Sequence, residues 1–337
     1  MASAPRELRL GTRGSPLALW QAHAVAAAVA ERGGPPCRIV VIRTSGDVIA
    51  DRPLSEAGGK RLFVKEIEDA LLRNDVDLAV HSSKDMPALL PDGLAIAAVL
   101  PREDPLDAVV LPLNVRLKPD ATDGGGGGVA SGFSRTALDA LVAAIGSSPN
   151  IGTGSVRRIA QLSGVLKGAR FAPIRGNLDT RLRKLDAGEH DALVLAAAGL
   201  RRLGMASRIT MTLPASACVP SPGQGIVAVE IRANDDAVRQ IISRIDDADA
   251  SVALEAERAV VEALGGGCQT PIGALARPVD ADTLELVAVV AALDGSRIVR
   301  ATATGPRRDA AALGWRAGQD LIAQGAGVIL AEAQTRA

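Results

Sequence analysis

Aromatic side chains are nearly missing: the 337 residues hold no tyrosine, three phenylalanines and two tryptophans. Stacking on aromatic rings is therefore not a main means of gripping single-stranded nucleic acid. The cores have to be packed from Ala, Val, Leu and Ile. An excess of one charge is also absent, since 38 Lys and Arg offset 38 Asp and Glu. No global field draws a polyanion, so any cationic site is local. Cysteine is scarce as well. Cys37, Cys218 and Cys268 stand far apart without a CxxC spacing, and an odd, scattered set reads as a reducing cytosol rather than a disulfide framework. There is no P-loop, no GxGxxG after a strand and no HExxH, and His23, His81 and His190 are scattered. Nucleotide and metal chemistry fall away, and no metal site is expected. The N-terminal residues lack a charged region followed by an apolar one, and the Ala-rich stretch 22–30 is too short to span a bilayer. A cytoplasmic protein with no membrane or nucleic-acid partner is the expectation.

What is present is a series of strand ends that carry polar side chains. Val76, Leu78 and Val80 make a short β-prone run that stops at His81, Ser82, Ser83, Lys84 and Asp85, and Pro87 bars a helical continuation. In open α/β sheets ligands bind beyond the carboxyl ends of strands, so the Lys84–Asp85 pair marks a candidate site. Residues 8–12 read as a strand turning into a helix with Ser15 as N-cap, Pro16 at the first position and Leu17, Trp20 and Ala24 as its apolar stripe. A helix through Leu72 is expected to bury Phe63, Ile67 and Leu71 and to turn Glu66, Glu68 and Asp69 outward. A second α/β unit restarts at Ile151, with Ser155 and Asn177 as further N-caps.

Arginine recurs beside Gly, Ser or Thr at these strand ends and helix starts: Arg13, Arg157, Arg158, Arg175, Arg181 and Arg202. Its planar fork binds a carboxylate or phosphate through two parallel hydrogen bonds, and a helix start adds N–H donors. The pattern implies a cleft between two α/β domains that holds a ligand with several acidic groups. Pro220 to Gly225 reads as a hinge, after which 226–231 rejoins the first sheet and makes the first domain discontinuous, with Gln224 facing the cleft. The chain then divides into domain 1 (1–110 and 222–245), domain 2 (111–221, with a Gly-rich insertion about 118–135) and domain 3 (246–337, with strands at 284–292 and 297–303). Three glycines before Cys268 and a Thr-Pro after it put that thiol on a loop, free to project, whereas Cys37 and Cys218 read as buried.

Several long motifs in fixed order resemble the porphobilinogen deaminase (hydroxymethylbilane synthase) family. They are Gly-Thr-Arg-Gly-Ser-Pro-Leu-Ala-Leu-Trp-Gln-Ala at 11–22, Gly-Gly-Lys-Arg-Leu-Phe-Val-Lys-Glu at 58–66 and Ala-Val-His-Ser-Ser-Lys-Asp-Met-Pro at 79–87. Arg-Gly-Asn-Leu-Asp-Thr-Arg-Leu at 175–182, Gly-Gln-Gly at 223–225 and Glu-Arg-Ala-Val-Val-Glu-Ala-Leu-Gly-Gly-Gly-Cys at 257–268 follow. The resemblance covers almost the whole chain and is weakest at 112–150 and after about 275. It departs from the family at Gly154, where a Ser is usual, and at Arg61, where a Gly is usual.

The resemblance implies an α/β fold of three domains: two periplasmic-binding-protein-like α/β domains flanking a cleft, and a smaller C-terminal α+β domain. It implies that Cys268 carries a dipyrromethane cofactor through a thioether, and that four porphobilinogen units condense on that primer with loss of ammonia, to be released as hydroxymethylbilane. Asp85 then corresponds to the catalytic carboxylate. Ser82, Lys84, Thr153, Ser155, Arg157, Arg158, Arg181 and Gln224 correspond to cofactor contacts, and Arg13, Ser15, Lys60, Phe63, Arg175 and Arg202 to substrate contacts, with Lys60 and Phe63 on a loop over the site. Each porphobilinogen brings an acetate and a propionate, which accounts for a cleft lined with forked cations. Two other readings compete. A two-lobed receptor for carboxylates would need no Cys268, and a cysteine-nucleophile acyl transferase would need a base near Cys268, although no His follows His190. A monomer is expected.

Overall fold

A computed structural model describes residues 7–48, 64–115, 135–266 and 270–336. The first domain holds strand β1 (Leu8–Thr12), helix α1 (Pro16–Glu31), β2 (Cys37–Val41), the single turn α2 (Ser45–Val48), α3 (Lys65–Leu72), β3 (Leu78–Ser82) and β4 (Leu94–Val99). The second holds β5 (Asp107–Val110), α4 (Arg135–Ile145), β6 (Asn150–Gly152), α5 (Val156–Val165), β7 (Arg170–Ala172), α6 (Leu178–Asp186), β8 (Ala192–Ala196), α7 (Ala197–Arg202) and β9 (Met211–Leu213). The chain then returns through β10 (Val227–Arg232) and α8 (Asp236–Ile242) to the first domain. It finishes with α9 (Ala248–Ala263), β11 (Ile272–Pro278), β12 (Thr283–Ala291), β13 (Ile298–Pro306), α10 (Ala310–Ala323) and α11 (Ala326–Arg336).

The first sheet runs β2-β1-β3-β10-β4, with β1 parallel to β2 and β3, and β10 antiparallel to β3 and β4. The second runs β7-β6-β8-β5-β9 on the same plan, with β5 as the antiparallel intruder beside β8. Each sheet therefore contains one strand delivered by a crossing from the other domain's side of the chain. Residues 100–106 carry the chain out and 214–226 bring it back. β5 pairs in the second sheet, so residues 107–110 stand on the far side of the crossing from the first sheet, ahead of the 110/111 boundary read from sequence. The third unit is the antiparallel sheet β11-β12-β13 covered by α9, α10 and α11.

Local sequence explains the helix starts that matter. Ser15, Ser155 and Asn177 each accept a hydrogen bond from a backbone N–H in the first turn of α1, α5 and α6, at Ala18, Arg158 and Thr180. Such caps contribute about 1 kcal/mol each. Leu10, Leu78, Val80 and Val229 from neighbouring strands pack with Val25 and Val29 of α1. Full burial of each such side chain stabilises the domain by about 1.5–3 kcal/mol. These are the contacts that fix β3, and hence the turn after it, in the middle of its sheet.

Four expectations differ from what is found. The buried stripe of α1 is Gln21, Ala22, Val25 and Val29, and Trp20 is 40% exposed, because the α1 face toward the sheet is rotated from the one read by size. Glu68 is buried instead of outward, on the α3 face shared with Ile67, Ala70 and Leu71. β11 was not expected at all: Ile-Gly-Ala-Leu-Ala-Arg-Pro has little β-propensity, and its Gly273 is needed because the Val219 carbonyl oxygen lies 2.6 Å from where a Cβ would stand. Part of 112–150, where the resemblance is weakest and no element was read, forms α4, while the glycines 124–128 lie outside the described residues. Among the described residues no helix is long and apolar enough to cross a membrane.

Candidate active site

β3 ends at Ser82 and the chain tightens at once into a 3-10 turn, Ser83–Asp85, closed by the Met86 N–H donating to the Ser83 carbonyl. That turn presents Lys84 and Asp85 beyond the strand end, as anticipated. Burial pushes the Lys84 ammonium down to about 8, opposed first by the neighbouring Asp85 carboxylate. On the opposite domain, burial and the nearby Arg158 and Arg175 push Arg181 down to about 10, and Asp85 again opposes the shift. Asp85 from the first domain and Arg181 from the second are thus within electrostatic reach of each other. The Arg181 Nε donates to the Gly176 carbonyl at 2.9 Å, which aims the rest of its fork away from its own loop. Arg175, half-buried at the end of β7, is also pushed down by burial. Cations crowded out of water and beside one another gain from an incoming anion.

Arg157 and Arg158 are held by a carboxylate that the sequence reading did not single out. Both are buried and converge on Asp107, the first residue of β5. Arg157 donates to its two oxygens at 2.7 and 3.1 Å, and Arg158 donates twice to Oδ1, at 3.0 and 2.8 Å. Gln224 Nε2 adds a bond of 2.9 Å and the Cys218 thiol one of 3.4 Å. Buried between two guanidinium groups, the Asp107 carboxyl is held far below the usual carboxylate range, and the same burial with Asp107 alongside pushes the Cys218 thiol up to about 12. Other donors of the pair go to the carbonyls of Val219 and Val194. Through these bonds the two arginines brace the root of the second domain, with Arg158 close enough to influence Lys84 and Arg181.

Gln224 is buried, and its amide donates to the Pro105 carbonyl as well as to Asp107, so it ties one crossover to the other. The crossovers also bond directly, Glu103 N–H to Gly225 O and Leu100 N–H to Val227 O, each at 3.0 Å. Arg102 of the first and Glu257 of α9 form a two-pronged pair at 2.6 and 3.2 Å, and Glu257 further accepts from the N–H groups of Gly223 and Ala276. A single buried carboxylate from the third domain therefore clamps both crossovers.

The remaining residues divide by position. Ser82 accepts a 2.8 Å bond from Gln21 Nε2, which leaves its own proton to donate. Thr153 is buried and its hydroxyl accepts from the Ser155 N–H, while Ser155 caps α5. Arg202 bridges the domains: it donates to the Gly225 carbonyl at 2.6 Å, and its guanidinium lies 5.4 Å from the ring centre of Trp20 on α1. Arg13 and Ser15 stand at the start of α1, next to the end of β1. Lys60, Phe63 and Cys268 lie outside the described residues. A cavity between the turn after β3 and the third domain is lined by Lys84 and, from the far wall, by Thr270, two residues beyond Cys268. Asp107, Arg102 and Glu257 escaped the sequence reading. The one signal for Asp107 was a carboxylate heading an otherwise apolar strand, Ala108 to Val110, in a chain with two consecutive arginines at a helix start.

Two α/β lobes joined by a double crossover, with an aspartate on one lobe within electrostatic reach of an arginine on the other, define a two-lobed α/β protein with acidic and basic side chains brought together between its lobes. The family model for the porphobilinogen deaminase dipyromethane cofactor binding domain matches residues 8–240, and that for the porphobilinogen deaminase C-terminal domain matches 252–323. The porphobilinogen deaminase of Syntrophobacter fumaroxidans is 44% identical over 329 residues, covering 97% of this chain and 98% of its own. That of Acidithiobacillus ferrooxidans is 44% identical over 327 residues with the same coverage of both chains. Among solved structures, the L-cystine solute receptor of Neisseria gonorrhoeae, in its unliganded open conformation, matches 71% of this chain and 85% of its own at 16% identity and a TM-score of 0.36. The chain belongs to the porphobilinogen deaminase family.

Proposed function

We propose that this cleft carries out the family's reaction with Asp85 as its catalytic carboxylate: the stepwise condensation of four porphobilinogen molecules onto a dipyrromethane primer bound to Cys268, with release of ammonia. The product is hydroxymethylbilane, a precursor in tetrapyrrole biosynthesis, and the enzyme is a transferase. The observation that carries this reading is the placement of Asp85 and Arg181 on opposite domains within electrostatic reach of each other. One group stabilises cationic pyrrole and the other receives acid side chains.

The donor set fits an acid-bearing primer. Lys84, Arg175 and Arg181 are cations depressed by burial, and such groups are relieved by an anion. The cavity containing Lys84 reaches Thr270, close in sequence to Cys268, and among the described residues no acidic side chain lines it. When bound, the primer supplies the electron-rich pyrrole carbon that attacks the incoming unit. Asp85 accepts from the pyrrole N–H and holds the positive charge that develops there as ammonia departs. The same carboxylate takes and returns protons at that nitrogen. Lys84, Arg175, Arg181, Ser82, Arg13 and Ser15 hold the acetates and propionates, with Lys60 and Phe63 covering the site. Arg157, Arg158, Thr153 and Ser155 keep the second domain's wall in shape, and Arg202 with Gln224 governs its swing about the crossovers, which makes room as the chain lengthens.

We take the three domains to be the two sheet units and the C-terminal unit, acting as a monomer in the cytoplasm without nucleic acid or membrane. Intact mass of the purified protein tests the central claim. A two-pyrrole increment that disappears in Cys268→Ser is expected, and active protein at the bare polypeptide mass overturns it. Light scattering at working concentration checks the monomer.

A further inference from the structure

Helix α1 of the first lobe packs against α7 of the second. The pairing is in register. Leu17 lies over Gly199, where a Cβ would stand 3.7 Å from Leu17 Cδ2, and three residues further along each helix the Arg202 guanidinium lies over the Trp20 ring, 5.4 Å from its centre. Residues three apart share a helix face, so one face of each helix supplies both contacts. Nothing else accounts for Trp20. It is one of two tryptophans in the chain, lies outside the buried stripe of α1 and remains 40% exposed.

Arg202 and its neighbour Arg201 sit in different surroundings. Arg201 is exposed and pairs with Asp104 at 3.1 Å. Arg202 is half-buried, and among the described residues no carboxylate lies within ion-pair distance of it. Burial pushes its pKa below the usual arginine value, with Glu103 opposing the shift. What holds it is the Gly225 carbonyl at 2.6 Å and the face of Trp20. A guanidinium within about 6 Å of an indole centre is attracted by the ring's quadrupole, more strongly where water is excluded. The Gly225 carbonyl also accepts from the Glu103 N–H, so it belongs to the pivot where the crossovers meet. Arg202 therefore reaches from the second lobe to the pivot through one nitrogen and to the first lobe through its flat face. A swing about the crossovers carries Trp20 away from it and leaves Gly225 nearly in place.

We propose that Trp20 is a positioning residue for Arg202, and that the Leu17–Gly199 and Trp20–Arg202 contacts together latch the two lobes. The latch parts when the lobes separate to admit a longer chain. The cation–ring contact is then broken, while the bond to Gly225 persists. This deepens the reading above in which Arg202 governs the swing, and rests on it. Trp20 touches neither primer nor substrate in this role and takes part in no covalent step. A weaker latch makes separation easier, so it favours the longer bound chains by the factor through which the latched-to-parted ratio falls. Loss of one cation–ring contact sets that factor at about two- to fivefold.

The test uses the full chain with its primer. In a Trp315→Phe background, which removes the tryptophan on α10 of the third domain, Trp20 is the only indole. Arg202→Gln uncovers the ring, so acrylamide quenching of Trp20 emission should rise, and loading the protein that retains Arg202 with porphobilinogen should raise it as well. Unchanged quenching in Arg202→Gln overturns the contact, and unchanged quenching on loading overturns its release. Trp20→Leu keeps apolar bulk without a ring. After a limited pulse of porphobilinogen, intact mass should show the ratio of chains with three or four added units to those with one or two raised about two- to fivefold in this variant. Trp20→Phe, which keeps a ring, should fall nearer the parent. Equal shifts in the Leu and Phe variants overturn the positioning role, since packing alone would then be lost. No shift in either, or loss of the adduct in Trp20→Leu, overturns it too. If the parent itself shows no two-pyrrole mass increment, the family reaction proposed above has failed, and quenching in Arg202→Gln still decides the contact.

Discussion

Asp107 Oδ2 and Arg157 Nη1 are 2.7 Å apart in a site where the carboxylate is 0% and the guanidinium side chain 3% exposed. Arg158 closes on the other carboxylate oxygen at 2.8 Å. Two cations on one buried anion have a stability consequence with a definite sign. Asp107→Asn leaves both guanidinium groups without their counter-charge, and loss of about 3–5 kcal/mol is expected on denaturant unfolding. Because the folded carboxyl lies far below its unfolded value of about 4, its contribution is complete above pH ~4 and drains away as the pH falls below that. The Asn variant should therefore show a shallower decline of stability below pH 4 than the parent. Equal slopes would contradict the role given to Asp107.

Asp85→Asn removes charge from the reacting site while keeping its size. It should fold, keep the two-pyrrole adduct by intact mass, and lose about 10²–10³ in kcat, the scale of a lost electrostatic stabiliser. Single-turnover absorbance with porphobilinogen measures this, and near-parent turnover refutes the assignment.

Arg181, within electrostatic reach of Asp85 on the other domain, is proposed above to hold carboxylates of the ligand. Arg181→Gln should lower kcat/KM by about 10- to 100-fold, the equivalent of one charge-assisted bond. The loss should grow as the bound chain lengthens and gains acid groups. Steady-state kinetics together with the mass distribution of enzyme-bound intermediates reports both effects.

Lys84, held at about 8 by burial, loses its proton in the primer-free protein as the pH rises through that value. Its grip on a carboxylate fades in the same interval, so reconstitution with porphobilinogen should slow above pH 8. Lys84→Arg keeps the charge to far higher pH, and its reconstitution profile should stay flat between pH 8 and 9.5. A break at pH 8 in both proteins would assign the titration to another group.

How much of this could be read from the chain alone follows from the range of each interaction. The turn after β3 was legible because an apolar run, a polar cluster and Pro87 lie within a dozen residues, and the caps Ser15, Ser155 and Asn177 because their partners are three residues away. The return of β10 to the first sheet was legible from the Pro-Gly hinge before it. The division of labour among the arginines was not. Arg157, Arg158 and Arg181 look alike in sequence, and what separates them is Asp107, fifty residues upstream of Arg157 at the head of a short apolar strand. Glu257 was hidden for the same reason, since its partners Arg102, Gly223 and Ala276 come from three distant segments.

The clamp at Glu257 fixes more than the crossovers. From that residue α9 runs on as an unbroken helix to Ala263, shortly before Cys268. A helix is stiff over so short a span, so the carboxyl end of α9 is referenced to the pivot and to neither lobe. A shift of either lobe would therefore carry the Glu257 end of α9 no further than the crossovers themselves move.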